Sequence, residues 1–126
     1  MGKFEKKDTS TNHAELLSVN SPFAYTEAYK TLRTNLSFAS ISRKYKKIIL
    51  TSAIPNEGKS TIAVNLAITL AESGANVLLI DCDLRNPTLH RLLRIKSVFS
   101  RSLTSLLAGD IKLEDCILSH PSSAVI

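Results

Sequence analysis

The sequence predicts an α/β fold with three layers, α/β/α, around a mainly parallel sheet. Two short apolar runs, residues 48–50 and 76–81, are typical of buried strands because they are continuous rather than alternating. Between them, residues 58–73 carry apolar side chains at helical spacing and end before Gly74, a favourable residue for closing a helix. A strand, a helix and a second strand in this order predict a right-handed crossover, with helices on both faces of the sheet.

The segment between the first predicted strand and the helix has the spacing of a phosphate-binding P-loop, with Ala53 in place of the first glycine. Such a loop turns backbone N–H groups inward, and the following helix adds its positive end. Gly58 permits close approach of a phosphate, Lys59 carries charge to the β- and γ-phosphates, and the Ser60 hydroxyl is placed to ligate Mg²⁺. The alternative is a strand-to-helix turn without a ligand. The predicted nucleotide-binding residues are Pro55, Asn56, Glu57, Gly58, Lys59, Ser60 and Thr61.

The second predicted strand ends in two carboxylates, Asp81 and Asp83, followed by Arg85. Alternation along a strand places both carboxylates on one side. Beside a triphosphate they can ligate Mg²⁺, and one can accept a proton from an incoming hydroxyl. Arg85 can stabilise developing phosphoryl charge or hold Asp83. The alternative is a polar strand end closed by a salt bridge. The predicted catalytic residues are Lys59, Asp81, Asp83 and Arg85, and the predicted metal ligands are Ser60, Asp81 and Asp83.

The N-terminal 20 residues are polar and predict a flexible segment. Ser21 and Pro22 then signal the start of a helix, with Ser21 as its N-cap. An apolar stripe on this helix is predicted from Ala28, Leu32, Leu36 and Ala39.

Glu27, Lys30 and Arg33 lie three residues apart and share a neighbouring face of this helix. Two interpretations remain open. The face is either solvated, with one Glu–Lys pair, or it contacts another subunit.

Short helices are predicted after the second strand, at residues 87–93, 103–109 and 113–118, and residues 121–126 predict the beginning of a third strand. The first of these helices places Leu89, Leu92 and Leu93 inward, and Gly109 closes the second.

The composition fits one domain with acidic partners. The chain has 126 residues and a formal net charge of +5, which favours ligands such as nucleotides. No nucleic-acid-binding pattern is visible, and Cys82 and Cys116 lack metal-type spacing and are expected to be small core residues. No apolar run approaches the ~18 residues of a membrane span, and residues 1–6 do not resemble a leader. We therefore expect a cytoplasmic protein without nucleic acid or its own transmembrane segment, or one that reaches a membrane through a partner.

These residues together resemble the bacterial tyrosine kinases of capsular and exopolysaccharide synthesis, of the CpsD/CapB type. The combination is much more specific than a P-loop alone, and the resemblance extends over most of the chain. The matching positions are residues 21–22, 27–35, 55–61, 65–67, 78–90, 106–109 and 113–115.

The resemblance implies a P-loop ATPase fold. It also implies a kinase that phosphorylates its own C-terminal tyrosines with ATP and Mg²⁺. Members form rings through a Glu-x-x-Arg-x-x-Arg helix, which here corresponds to Glu27, Lys30 and Arg33. They are activated by a membrane-anchored modulator of polysaccharide polymerisation, so a location at the inner face of the cell membrane is implied. By the same resemblance, Lys59 contacts phosphates, Ser60 and Thr61 contact Mg²⁺ and phosphate, Asp81 is the catalytic carboxylate and Asp83 a second carboxylate beside the metal.

Several family features are replaced or missing. Lys30 stands where the middle arginine is usual, Asn56 stands where glycine is usual, and Arg101-Ser102 replaces a glycine before Leu103. The third nucleotide motif, Asp-x-x-Pro after an apolar strand, is absent, and all three tyrosines precede the P-loop. We therefore expect residues 21–126 to be the N-terminal part of a kinase domain that stops before the third motif, and this chain alone to be inactive.

Two other functions fit part of the sequence. ATPases of the chromosome-partition and division-positioning type share this P-loop branch, but they carry a second lysine at the position of Ile54. The remaining alternative is a nucleotide-binding regulator with an incomplete catalytic site.

Overall fold

Five helices make up the regular structure of the described residues, which are 16–41, 45–96 and 100–119 of a computed structural model. All five occur where the sequence predicts helix, although the short ones are shorter than predicted. None of the helices in these ranges is long and apolar enough to cross a membrane. They are α1 (Phe23–Ile41), α2 (Lys59–Glu72), α3 (Leu89–Leu92), α4 (Leu103–Ala108) and α5 (Leu113–Cys116).

Helix α2 is the centre of the packing, since it contacts both α1 and α3. Every residue from 64 to 69 is buried, so the middle of α2 has no solvent face. Val64 and Ile68 form an apolar cluster with Leu89 and Leu93, as the predicted inward side of α3 requires. The sequence predicts an inner stripe that leaves out Val64 and Ile68 and includes Ile62, which is exposed in the structure. The predicted members of this stripe are Ile62, Ala63, Leu66, Ala67, Leu70 and Ala71. Leu16, Leu17, Leu79, Leu92 and Ile95 pack against the cluster.

The end of α2 is fixed by backbone geometry. Gly74 has φ +89°, and its N–H donates to the carbonyl of Ala71, while the N–H of Ala75 donates to Leu70. These two bonds define a Schellman motif, which needs a left-handed residue at its turn. The prediction that Gly74 closes the helix is confirmed.

The predicted inner face of α1 is wrong. Ala28, Leu32 and Ala39 are exposed and Leu36 is half-buried, whereas Tyr29 is the buried residue of this helix. The packed face runs through the aromatic pair Tyr25 and Tyr29, whose rings meet edge to face with centroids 5.3 Å apart. Large aromatic rings bury more area than alanines, so they determine which side turns inward.

The start of α1 is also displaced by one residue from the prediction. The carbonyl of Pro22 accepts the first bonds, from the N–H groups of Tyr25 and Thr26. The Ser21 hydroxyl instead accepts from the N–H of Ser18. Pro22, and not Ser21, therefore occupies the capping position.

The predicted parallel sheet is not formed within the described residues. Residues 48–50 lack strand structure, and in the segment 76–81 only Leu78 has the geometry of an isolated bridge, as does Ser119. Ile49 is 90% exposed, and Leu78 and Ile80 are about half exposed. A strand needs neighbouring strands for its N–H and C=O groups, and these runs do not pair with each other here.

The C-terminal helices follow local signals. The Ser102 hydroxyl accepts from the N–H of Ser105 and caps α4, so Ser102 provides the helix start in place of the expected glycine. Gly109 closes α4 with φ +83°, as predicted. Cys82 is exposed and Cys116 half-buried, so the expectation that both are core residues is wrong for Cys82. The predicted third strand and most of the predicted flexible N-terminal segment lie outside the described residues.

A buried amide connects three parts of the chain. Asn65 in α2 is 0% exposed; its Oδ1 accepts from the N–H of Leu17 at 2.8 Å. Its Nδ2 donates to the hydroxyl of Tyr25 in α1 at 2.9 Å. Because a buried polar group must be hydrogen-bonded to be tolerated, these contacts fix α1 and the segment before it against α2.

We predict that Asn65→Ala lowers the free energy of unfolding of the purified protein by about 2 kcal/mol, since it leaves a buried N–H and a hydroxyl without these partners. Denaturant titration followed by circular dichroism measures the change. Asn35→Ala is the matched control, because Asn35 is exposed on α1 and alanine favours helix there. Equal stabilities of the two variants would contradict the role of Asn65.

Candidate functional site

The P-loop segment is ordered by its own side chains. The Glu57 carboxylate accepts from the N–H groups of Ala53 and Ile54 at 3.1 and 3.3 Å. Asn56 has φ +64° and Gly58 φ +83°, so two residues of the loop are left-handed. Asparagine tolerates this conformation better than most residues, which explains how Asn56 replaces the glycine usual in the resembling family.

Helix α2 begins directly after the loop, as predicted. The N–H of Ile62 donates to the carbonyl of Gly58 at 2.9 Å, which is the first bond of the helix. A β-carbon built on Gly58 would meet no atom within 4 Å, so the loop is open at this point. Lys59, Ser60 and Thr61 lie in the first turn and are half-buried.

Ser60 contacts the segment that follows Asp81. Its hydroxyl oxygen lies 2.9 Å from that of Thr88, 28 residues further along the chain. The N–H of Thr88 in turn donates to Oδ2 of Asp81 at 2.9 Å. A predicted metal ligand of the loop and the predicted catalytic carboxylate are therefore joined through one residue, Thr88.

The Asp81 carboxylate is held by three backbone N–H groups. Oδ2 accepts from Thr88 and Leu89, and Oδ1 accepts from Asp83 at 3.0 Å. The first two bonds satisfy amides at the start of α3, which a helix cannot satisfy internally. Asp81 thus fixes the polypeptide around it, a role that the sequence analysis did not assign.

Asp83 and Arg85 are less closely connected to the loop. Oδ1 of Asp83 accepts from the N–H of Asn86 at 3.0 Å, and both Asp83 and Arg85 are exposed. The predicted salt bridge between them is not among the ion pairs of the described residues. The structure brings together Ser60, Thr88 and Asp81, and leaves Arg85 apart.

The oxygen donors at this point suit Mg²⁺, which is bound in proteins by one or two carboxylates together with phosphates and water. Ser60, Asp81 and Asp83 supply a hydroxyl and two carboxylates. The described residues contain no cluster of three or more His, Cys, Asp or Glu side chains that could hold a metal unaided. The donor set therefore fits a metal that arrives with a nucleotide.

A mostly apolar cavity of about 390 Å³ lies on another side of the Asp81 segment. Its wall combines Leu79 and Leu84 with Leu103 of α4 and Leu113 of α5, and Asp81 and Asp83 border it. No residue of the P-loop lines it, so it is separate from the candidate phosphate site.

The charged residues of α1 have intrachain contacts. Nζ of Lys30 lies 2.8 Å from the Glu27 carboxylate. Nη1 of Arg33 donates to the carbonyl of Thr69 at 3.0 Å. That carbonyl belongs to the last turn of α2, where a helix leaves its acceptors unpaired and favours a cation. The sequence analysis did not foresee that Arg33 caps α2.

The comparisons with known proteins first define a class. A protein-family profile described as "AAA domain" matches residues 45–126. The solved structure titled "BceF Tyrosine Kinase Domain" superposes with a TM-score of 0.69 at 39% identity, over 79% of this chain and 39% of that one. The chain therefore has a P-loop nucleotide-binding fold of the AAA type.

Curated relatives then define the family. The chain is 46% identical over 91 residues to tyrosine-protein kinase YwqD of Bacillus subtilis (strain 168), covering 72% of the chain and 38% of the relative. It is 36% identical over 104 residues to tyrosine-protein kinase wzc of Salmonella typhimurium, covering 82% of the chain and 14% of that protein. A protein of Klebsiella pneumoniae described as "Putative tyrosine-protein kinase in cps region" is 31% identical over 91% of the chain and 16% of its own length.

This chain belongs to the family of bacterial tyrosine-protein kinases, as the resemblance in the sequence predicted. It spans well under half the length of the curated relatives that it matches.

We predict that Asp81→Ala accelerates hydrogen exchange at the amides of Asp83, Thr88 and Leu89 about tenfold or more, because a bond to a charged acceptor contributes ~1.5–3 kcal/mol. Hydrogen–deuterium exchange resolved to single amides measures the change. Asp110→Ala is the control, since Asp110 is exposed and its carboxylate holds none of these amides. Unchanged exchange at all three amides would disprove the anchoring role of Asp81.

Proposed function

We propose that the full gene product is an ATP-dependent protein-tyrosine autokinase. The observation that carries this proposal is the contact of Ser60 with Thr88, whose N–H holds Asp81. It places the start of the P-loop helix beside the Asp-x-Asp segment in a chain whose relatives are named tyrosine-protein kinases. A hydroxyl and a carboxylate at one point, beside a helix that begins with Lys59, suit the positioning and charge stabilisation that phosphoryl transfer requires.

The roles of the residues follow from their chemistry. Lys59 and the N–H groups of the loop bind the β- and γ-phosphates. The tyrosine oxygen bonds to the γ-phosphorus while the bond from that phosphorus to the β–γ bridging oxygen breaks, and ADP leaves. Asp81 accepts the tyrosine proton, for which Oδ1 offers a lone pair beyond the single N–H bond of Asp83. Arg85, an exposed cation four residues after Asp81, would stabilise the charge that develops on the transferred group.

Mg²⁺, held by Ser60, Asp81 or Asp83 and the phosphates, would supply charge neutralisation at the γ-phosphate. The fit rests on the oxygen-only donor set around Ser60 and Asp81.

We further propose that the apolar runs at residues 48–50 and 76–81 become parallel strands of one sheet in the full gene product. Their exposure supports this, since Ile49 and Ile80 present apolar surface that a covered sheet would bury.

The process that the kinase serves is proposed to be capsular or exopolysaccharide synthesis, which the description of the Klebsiella relative as lying in a cps region supports. A membrane-anchored polysaccharide co-polymerase would act as its modulator and hold the kinase at the cytoplasmic face of the membrane. The net charge of +5 favours such a location near anionic lipid.

A second proposal concerns assembly, because Glu27 and Lys30 form a charged surface on α1. Both side chains are between 40 and 50% exposed in spite of their mutual ion pair, so they remain accessible to another subunit. Arg33 is a weaker candidate for this contact, since its guanidinium already caps α2. The same surface fits the solvated interpretation, in which an i,i+3 pair contributes only ~0.3 kcal/mol.

We predict that Lys59→Met in the full gene product lowers autophosphorylation at least a hundredfold, because the charge on the transferred phosphate then loses the half-buried ammonium group that opposes it. Anti-phosphotyrosine blotting after incubation with ATP–Mg²⁺ measures it. Lys46 is an exposed lysine before the loop, so Lys46→Met is the control and should keep the parental activity.

Purified residues 1–126 should give no phosphotyrosine under the same conditions. If the Lys59→Met variant of the full gene product phosphorylated itself at the parental rate, the proposed role of the loop would be disproved.

We predict that Glu27→Ala together with Lys30→Ala decreases the size of the oligomer formed by the full gene product, without a change in unfolding temperature beyond that of ordinary surface variants. Light scattering coupled to gel filtration measures the mass. The control pair is Lys112→Ala with Glu114→Ala, which removes the same two charges from the exposed region around α5. An unchanged mass would leave the solvated interpretation of this face.

A further inference from the structure

Thr88 is the residue through which the P-loop helix contacts the Asp81 segment. Its hydroxyl oxygen lies 2.9 Å from the hydroxyl oxygen of Ser60, and its N–H donates to Oδ2 of Asp81 at 2.9 Å. Within the described residues, Ser60 makes no direct hydrogen bond to Asp81. Thr88 precedes α3 and is its N-cap residue by backbone geometry, but its side chain makes no capping bond. Its hydroxyl is therefore directed to Ser60 and not to its own helix.

The direction of the Ser60–Thr88 bond decides what Ser60 can do. Either hydroxyl can be the donor in this geometry. When the Ser60 hydroxyl donates the hydrogen bond to Thr88, both lone pairs of the serine oxygen stay available to a cation. When Thr88 donates, one lone pair is occupied. A bound divalent cation favours the first arrangement, because it repels the serine proton and attracts the oxygen.

The surroundings strengthen this contact. Ser60, Thr88 and Asp81 are all half-buried, so water competes less for their hydrogen bonds than at an open surface. Thr88 is also held from its other side, since Leu89, the next residue, is buried in the apolar cluster with Val64 of α2. The position of the Thr88 oxygen is thus set by the packing of α3 on α2.

We propose that Thr88 is a positioning residue of the nucleotide site. Its hydroxyl oxygen accepts a hydrogen bond from the Ser60 hydroxyl and so directs the serine lone pairs to the Mg²⁺ of a bound nucleotide. Through its N–H, the same residue keeps Asp81 at a fixed place relative to Ser60. This inference rests on the proposed function, in which Ser60 ligates Mg²⁺.

The test is nucleotide binding by the full gene product, with a fluorescent ADP analogue titrated in excess Mg²⁺ and, separately, in EDTA. Thr88→Val removes the hydroxyl at nearly constant shape. It should weaken Mg²⁺–ADP binding about fivefold, as expected for the loss of one hydrogen bond. In EDTA its affinity for ADP should stay within about twofold of the parent's. Thr88→Ser keeps the hydroxyl and should bind within twofold of the parent in both conditions. Thr34→Val is the matched control, because it removes an exposed α1 hydroxyl that bonds only within its helix.

A double-variant cycle separates positioning from a structural role. In the Ser60→Ala background, Thr88→Val should cause no further loss of Mg²⁺–ADP binding, because Thr88 acts through the serine. Additive losses, or an equal loss with Mg²⁺ and with EDTA, would overturn the inference. Thr88→Ala is the second variant, in case valine disturbs the packing of Leu89.

If the proposed role of Ser60 as a metal ligand is wrong, the binding measurements give a different pattern. If Ser60→Ala binds Mg²⁺–ADP like the parent, Ser60 is not a metal ligand and both proposals fall. If Ser60→Ala loses the Mg²⁺ dependence and Thr88→Val keeps it, only the role of Thr88 is disproved.

Discussion

The hydrogen bonds of the buried Asn65 amide are the constraint on which the rest of the described structure depends. They connect the segment at Leu17, the Tyr25 hydroxyl of α1 and the interior of α2. The first turn of the same helix carries Lys59 and Ser60, and its last turn is capped by Arg33. A helix held at its middle and at its end keeps its beginning in place. The position of the P-loop segment therefore depends on contacts at the far side of α2.

Features that depend on neighbours in sequence were predictable. The loop, the beginning of α2 and the left-handed glycines at 74 and 109 follow from turn chemistry within a few residues. The predicted sheet is not formed in the described residues. Strand pairing depends on distant parts of the chain, and the apolar run containing Ile49 does not show which strand it would pair with. The inner face of α1 was misjudged for a similar reason. Spacing alone does not show that Tyr25 bonds to Asn65 and packs against Tyr29, whereas alanines at helical spacing suggested a stripe.

In the candidate site, Ser60 and Asp81 were found from their motifs, and the structure places them on either side of Thr88. A threonine after proline has no distinctive spacing, so Thr88 could not be found from the sequence pattern. The anchoring of backbone amides by Asp81 was missed because a carboxylate beside a P-loop suggested metal binding, proton transfer or a salt bridge, and not a bond to the backbone. The same segment thus serves local folding and, in the proposed function, phosphoryl transfer, and these demands are compatible because Oδ1 and Oδ2 have different partners.

The burial of six consecutive residues in α2, from 64 to 69, has a consequence for how this protein tolerates change. An ordinary amphipathic helix has an outer face on which substitutions accumulate freely, but the middle of α2 has none. A larger side chain at Ala67 must displace a neighbour, and a smaller one at Ile68 opens a cavity. Variation in α2 is therefore confined to its two ends, and both ends carry further constraints, since one follows the P-loop segment and the other is capped by Arg33.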